Sequence, residues 1–190
     1  MNEWKAYQDL DKVLIETQQI HDAVKKLGQQ ITRDYQGKNP VFICILKGAV
    51  MFFADLLRQV DLPVSIDFMA ISSYGSSTKT SGVVRILKDL DHNVLGKDVL
   101  VVEDIVDSGL TLSYIKKVLD DRSAASVKLV TLLDKPERRK VDLKVDYACF
   151  TIPNEFVVGY GLDYQERYRN LPFVGVLHPR CYEEVKTDCP

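Results

Sequence analysis

"VLVVEDIVDSGLT", Val99 to Thr111, runs from four apolar residues into three carboxylates, Glu103, Asp104 and Asp107, and closes on a Ser-Gly-x-Thr turn. Read with Asp98, the apolar half "DVLVV" (98–102) is continuous and rich in β-branched residues, the pattern of a strand buried on both faces. The residues after the turn, "LTLSYIKKVLDD", read as a helix. Glycine and hydroxyl residues just ahead of a helix suit a bound phosphate, because the helix start offers unpaired N–H groups and the positive end of its dipole. Carboxylates repel phosphate. The two halves of this loop must therefore address different groups.

The same strand pattern recurs on both sides of it. "VFICIL" (41–46), "VSIDFMAI" (64–71), "VVRIL" (83–87), "VKLVTLL" (127–133), "YACFTI" (147–152) and "FVVGY" (156–160) read as strands. Between them lie helical patterns: Ile20, Val24, Leu27 and Ile31 make one helical face behind a cap at Thr17, and "VMFFADLLRQV" (50–60) packs back after the turn "LKGA". Strands alternating with helices imply parallel βαβ crossovers, hence an α/β fold with a doubly wound, mostly parallel sheet flanked by helices. In such sheets ligands bind beyond the carboxyl ends of the strands, where the 103–111 loop stands.

The totals agree with one domain. The chain has 190 residues, with a 46% hydrophobic share and 27% charged residues. A formal charge of −2 offers no long-range attraction to nucleic acid or an anionic membrane, so phosphate binding must be local. "MNEWKAYQDLDK" lacks the apolar stretch of a secretory signal, and no run approaches the roughly 20 apolar residues that span a bilayer. The four cysteines form no CxxC pair; Cys44 reads as core, and Cys181 and Cys189 as exposed thiols, which suits a reducing, cytoplasmic setting.

Chemically, Gly109 permits a tight turn while Ser108 and Thr111 add hydroxyl donors, a monophosphate cradle without lysine. No GxxxxGK[ST] or GxGxxG occurs. The plain structural alternative is a helix N-cap by Asp107 or Ser108. Glu103 and Asp104 stand at the strand's exposed end, where adjacent acids can accept from a vicinal diol or help hold a divalent cation. A ribose carries a diol and a 5-phosphate on opposite sides, so both halves of the loop can serve one sugar. The Ser, Thr and Gly stretch "SSYGSSTKTSG" (72–82) has nothing to bury, and composition alone favours a hairpin tip over a lid.

These residues resemble a known family. "VVEDIVDSGLT" resembles the phosphoribosyl-diphosphate binding motif of type I phosphoribosyltransferases, and its Glu-Asp pair with "DSG" resembles the hypoxanthine-guanine branch. "LKGA", "SSYG", "DKPERR" and "FVVGYGLDYQERYR" resemble that family's pyrophosphate loop, flexible loop, purine-reading lysine and purine hood, in order over residues 40 to 176. The resemblance implies a single domain with its core at 38–150, a hood from 1–16 and 151–190, and a lid at 72–82, which reverses the reading from composition.

It also implies roles. Phosphoribosyl diphosphate and hypoxanthine or guanine would give IMP or GMP and pyrophosphate, with Mg²⁺ as cofactor. Glu103, Asp104, Asp107, Ser108, Gly109, Leu110 and Thr111 would hold the ribose phosphate, with Asp107 as general base toward purine N7. Lys47, Gly48 and Arg169 would hold pyrophosphate, and in the family the Lys-Gly peptide can be cis. Glu103, Asp104 and Asp163 would hold metal; Lys135, Phe156, Val157 and Asp163 would surround the purine; Ser73 and Tyr74 would close the lid. Leu110 departs from members with a basic residue there, and "LHPRCYEEVKTDCP" matches no family motif. By analogy the assembly is a homodimer or homotetramer, with neither nucleic acid nor membrane as partner. A xanthine-preferring transferase and a nucleotide-sensing, RNA-binding regulator of the same fold are the alternatives.

Overall fold

Two sheets divide the work of the molecule. The computed structural model describes residues 5–73 and 84–182. After a short 3-10 turn (Lys5–Asp9), β1 (Leu10–Ile15) leads into α1 (Thr17–Asp34), β2 (Val41–Leu46), α2 (Val50–Leu57), β3 (Ser65–Ser73) and β4 (Val84–Lys88). Then follow β5 (Asp98–Val106), α3 (Leu110–Asp121), β6 (Ser126–Asp134), β7 (Tyr147–Thr151), β8 (Val157–Val158) and β9 (Val174–Leu177).

The larger sheet has the order β4-β3-β2-β5-β6-β7, parallel except for β4, which runs antiparallel beside β3. From β2 the chain passes outward to β3, then returns to the other side of β2 as β5. The strand order therefore reverses between β2 and β5, and the crevice beyond their carboxyl ends is the topological switch point.

Alternation within the buried strands builds two cores. Phe42, Cys44, Leu100, Val102, Val130 and Leu132 face α1 and α2, packing against Ile20, Val24, Leu27, Ile31, Phe52 and Leu56. Ile43, Ile45, Val99, Val101 and Leu129 face α3 and its Leu112, Ile115 and Leu119. Side chains on both faces are apolar because both faces are covered, which is why these strands read as continuous apolar runs.

The smaller sheet, β1-β9-β8, is antiparallel and brings together the two ends of the chain. Here the structure corrects the reading of 156–160 as a long strand. Val157 and Val158 alone join a strand, in this second sheet, while Gly159 makes an isolated bridge to Leu162, because Gly159 (φ 101°), Tyr160 (φ 50°) and Gly161 (φ 102°) turn the chain out of register. A third small core under it gathers Val158, Tyr168, Leu171, Phe173 and Leu177.

Three other boundaries differ from the sequence reading. Helix α1 is capped by Glu16, not Thr17, through a capping box in which Glu16 and Gln19 exchange side chain and backbone contacts. Strand β5 does not stop at Val102; pairing to β6 continues through Glu103↔Thr131 and Val106↔Asp134, so the acid pair lies inside the strand. Helix α3 is capped by neither Asp107 nor Ser108, since the residue before it, Gly109, has φ 79° and no side-chain cap is present. Of the residues assigned to the lid, Ser73 ends β3, while Tyr74 and 75–82 lie outside the described residues, as does Cys189. Cys181 is half-buried, with Sγ donating to the Asp9 carbonyl, rather than an exposed thiol.

Candidate active site

The carboxyl ends of β2 and β5 meet at very close range. A Cβ built on Gly48 would lie 1.7 Å from Asp104 Oδ2, and one built on Gly161 would lie 2.0 Å from the Gly48 carbonyl oxygen. The loop after β2 is thus sandwiched between the acid end of β5 and the 159–171 hood segment; a side chain at Gly161 would meet backbone, and one at Gly48 would displace the Asp104 carboxylate. The peptide bond entering this loop, Leu46–Lys47, is cis, one residue ahead of the Lys47–Gly48 bond named from the sequence. Lys47 itself points outward and pairs with Glu166 at 3.1 Å.

Glu103 and Asp104 are half-buried neighbours in β5. Burial, together with the negative charge of Asp104 beside it, raises the Glu103 carboxyl well above the ordinary carboxylate range. Burial raises Asp104 as well, while hydrogen bonding from Glu103 and the Ile105 backbone and the positive charge of Arg169 oppose the rise. Among the described residues neither acid has a cationic partner at salt-bridge distance, so a group that brings positive charge or hydroxyl donors would relieve both.

Beyond them the strand breaks into the turn Asp107 to Gly109. The positive φ of Gly109 is the conformation glycine adopts freely, and a side chain there would also press on Arg139, Val141 and Leu143. The turn is tied down by the Lys140 N–H, which donates to the Ser108 carbonyl at 2.9 Å. The start of α3 leaves its first N–H groups without partners inside the helix. They open on a cleft of about 220 Å³ lined by Glu103 to Gly109, Thr111 and Leu112. Leu110 is exposed and does not line this cleft.

A second cleft, of about 530 Å³, lies on the other side of Asp107, between it and the hood. Ile105, Asp107, Lys135, Phe156, Val157 and Asp163 line it. Lys135 is 6% exposed, with Nζ donating to the Glu155 carbonyl at 2.6 Å, and its burial lowers the ammonium below its ordinary range. Two of its three N–H donors remain for other acceptors. Phe156 is 39% exposed, far more than a core residue, whereas Val157 is buried.

Asp107 belongs to both clefts. Its Oδ1 sits 2.8 Å from Arg138 Nε, yet the angle is outside hydrogen-bond geometry, so this shielded oxygen lacks a hydrogen-bond donor. Asp163 accepts from the Glu166 N–H at 2.9 Å and pairs with Arg169 Nη2 at 2.8 Å. Arg169 also donates to the Gly161 carbonyl at 2.8 Å, so it braces the hood at the same point where the hood meets Gly48. It is a partly buried brace, not a surface ion pair.

Several cleft residues had no role in the sequence reading. Arg138 sits three residues after Lys135 at the end of a 3-10 turn, Pro136–Arg138, where side chains three apart align. That spacing was visible in "DKPERR". Ile105 was visible as one of two apolar residues, with Val106, between Asp104 and Asp107. Asn154, Glu155 and Tyr182 had no signal, since only the hood's packing brings them here.

A cleft that pairs an acid couple and a helix-start turn with a pocket where Phe156 and Val157 stand beside Lys135 and other polar side chains can hold a phosphorylated sugar beside a flat base. Residues 14–165 match the family described as phosphoribosyl transferase domain. The chain is 55% identical over 175 residues to the hypoxanthine-guanine phosphoribosyltransferase of Bacillus subtilis (strain 168), covering 92% of this chain and 97% of that protein. The enzyme of that name from Streptococcus thermophilus (strain CNRZ 1066) is 52% identical, covering 93% and 98%. A crystal structure of a hypoxanthine phosphoribosyltransferase from Staphylococcus aureus superposes with a TM-score of 0.93 at 48% identity, over 97% of this chain and 100% of that one. This chain belongs to the phosphoribosyltransferases, and within them to the hypoxanthine-guanine phosphoribosyltransferase family.

Proposed function

We infer that this chain serves purine salvage, moving the 5-phosphoribosyl group of phosphoribosyl diphosphate onto hypoxanthine or guanine to give IMP or GMP and pyrophosphate. The observation that carries the reading is Asp107, which lines both the phosphate cleft and the base cleft.

In this reading the turn from Ser108 to Thr111 takes the 5-phosphate on backbone N–H groups and hydroxyls. Glu103 and Asp104 accept from the ribose diol. The base lies against Phe156 with its edge on the Val157 backbone. Lys135 donates to O6, which selects a 6-oxo over a 6-amino purine, and Asp107 takes the N7 proton as N9 bonds to the anomeric carbon. Lys47, Gly48 and Arg169 receive pyrophosphate, and a lid bearing Ser73 and Tyr74 keeps water from the cationic sugar.

The residues present fit Mg²⁺. Mg²⁺ keeps waters and substrate oxygens and takes one or two carboxylates from a protein, and Glu103 and Asp104 are adjacent, half-buried acids without a cationic partner at salt-bridge distance among the described residues. Glu103 and Asp104 supply those, and Asp163 retains lone pairs for a second ion. Held by these carboxylates, Mg²⁺ would supply positive charge to offset that on a leaving pyrophosphate.

A purine panel tests the reading. With Mg²⁺ and phosphoribosyl diphosphate, hypoxanthine and guanine should release pyrophosphate, and adenine should not. Turnover with xanthine alone would redirect the assignment, and no turnover with any base would overturn it.

A further inference from the structure

The tail after β9 returns to the base cleft. Leu177 N–H donates to the Phe156 carbonyl at 2.8 Å, which fixes the end of β9 beside the residue read as the purine's stacking surface. His178 N–H then donates to the Asp9 carbonyl at 2.8 Å, and a 3-10 turn (Pro179–Cys181) reverses the chain. Arg180 reaches the Gln8 carbonyl, so the turn is clamped to the N-terminal segment. Tyr182, whose N–H donates to the Pro179 carbonyl at 3.1 Å, comes back over Phe156. The two rings stack with centroids 4.8 Å apart and planes at 21°. Tyr164 meets the same phenylalanine edge-on, at 5.6 Å and 89°.

Phe156 therefore stacks on one ring and meets a second at right angles, although the residue is 39% exposed at the rim of the cleft. An exposed phenylalanine with neither contact would sample several rotamers, and a base stacking on it would have to order it. We propose that Tyr182 is a positioning residue for purine binding: by stacking on one face of Phe156 it holds that ring at the angle the base requires. This rests on the reading of Phe156 as the base's stacking surface. Tyr182 lies in the segment that matched no family motif, and its place on the cleft follows from the fold alone.

The test compares Tyr182→Ala, Tyr182→Phe and Phe156→Ala in steady-state assays with varied hypoxanthine and varied phosphoribosyl diphosphate, alongside thermal melts. Tyr182→Ala should raise KM for hypoxanthine by about three- to tenfold, the scale of one aromatic stacking contact, while kcat and KM for phosphoribosyl diphosphate stay within about twofold. Tyr182→Phe, which keeps the ring, should restore the hypoxanthine KM. An unchanged hypoxanthine KM in Tyr182→Ala overturns the proposal, and so does an equal rise in both KM values with a lower melting temperature, which marks a structural role only. A lower KM than the parent's also overturns it, since Tyr182 would then compete with the base for the ring. If Phe156→Ala leaves the hypoxanthine KM unaltered, the stacking surface itself is refuted, and the role of Tyr182 falls with it.

Discussion

Asp107 has its carboxylate between two clefts and one shielded oxygen facing the Arg138 guanidinium without a well-formed hydrogen bond. The carboxylate lines the base cleft, where a proton acceptor toward the base is needed. Asp107→Asn should lower turnover by roughly 10²- to 10⁴-fold, the usual worth of acid–base help, and leave phosphoribosyl diphosphate binding nearly intact. Undiminished turnover would remove Asp107 as the base. Lys135→Ala should weaken hypoxanthine binding far more than sugar-diphosphate binding, and an equal loss of both in calorimetric titration would make Lys135 structural. Glu103 carries a different liability. Its carboxyl is raised by burial and by Asp104, so the folded chain keeps a proton that the unfolded chain gives up above about pH 4.5. Stability of the free protein should therefore fall as pH rises through that range. Glu103→Gln should melt higher than the parent at pH 7, lose that advantage below about pH 4 where both states are protonated, and be poorly active. Equal melting curves at pH 7 would show that the acid pair is not strained.

At the scale of elements, the site depends on three segments in contact: the end of β5, the loop after β2 and the hood at 159–171. Gly161 joins the last two. With φ 102° and its missing Cβ 2.0 Å from the Gly48 carbonyl, any side chain there must push the hood off the β2 loop. Gly161→Ala should cut kcat/KM for phosphoribosyl diphosphate by at least an order of magnitude while far-ultraviolet dichroism stays native. Near-parental kinetics would show the contact is not needed. Four residues of the same hood segment without a glycine's freedom, Tyr160, Gln165, Glu166 and Tyr168, also hold positive φ. Backbone conformations of that kind persist where packing imposes them, and here Tyr160 is tied to Asp55 on α2 and Tyr168 to Asp9. The hood is thereby anchored to the larger sheet's helix layer on one side and to the N-terminal segment on the other.

For the whole molecule, the larger sheet supplies a rigid switch point and the small sheet supplies a wall made from both ends of the chain. Ligands that touch both should stabilise the fold as a unit. Phosphoribosyl diphosphate with Mg²⁺ at 100 times its Kd should add about 2.7 kcal/mol to the unfolding free energy and raise the melting temperature accordingly. The same diphosphate with a chelator should give a much smaller shift and no turnover, and full activity in the chelator would refute the metal assignment. Among the described residues no helix is long and apolar enough to cross a membrane.

The sequence by itself determined the buried strands of the larger sheet, its two covered faces, the glycine turn before α3 and the acid pair, because each is a local pattern: "VFICIL" and "DVLVV" need cover on both faces, and "DSGLT" needs its glycine. It also carried the family, through motifs kept in order along the chain. What it could not carry are distances between segments far apart in sequence. That the acid pair lies within β5 depends on pairing with β6, and that Val157 belongs to a second sheet depends on β9. That Gly48 is clasped between Asp104 and Gly161, and that Tyr182 stacks on Phe156, are decided by how the hood closes on the switch point. The physical reason is the same in each case. Side-chain periodicity reports which face of an element is covered, whereas only packing decides what covers it.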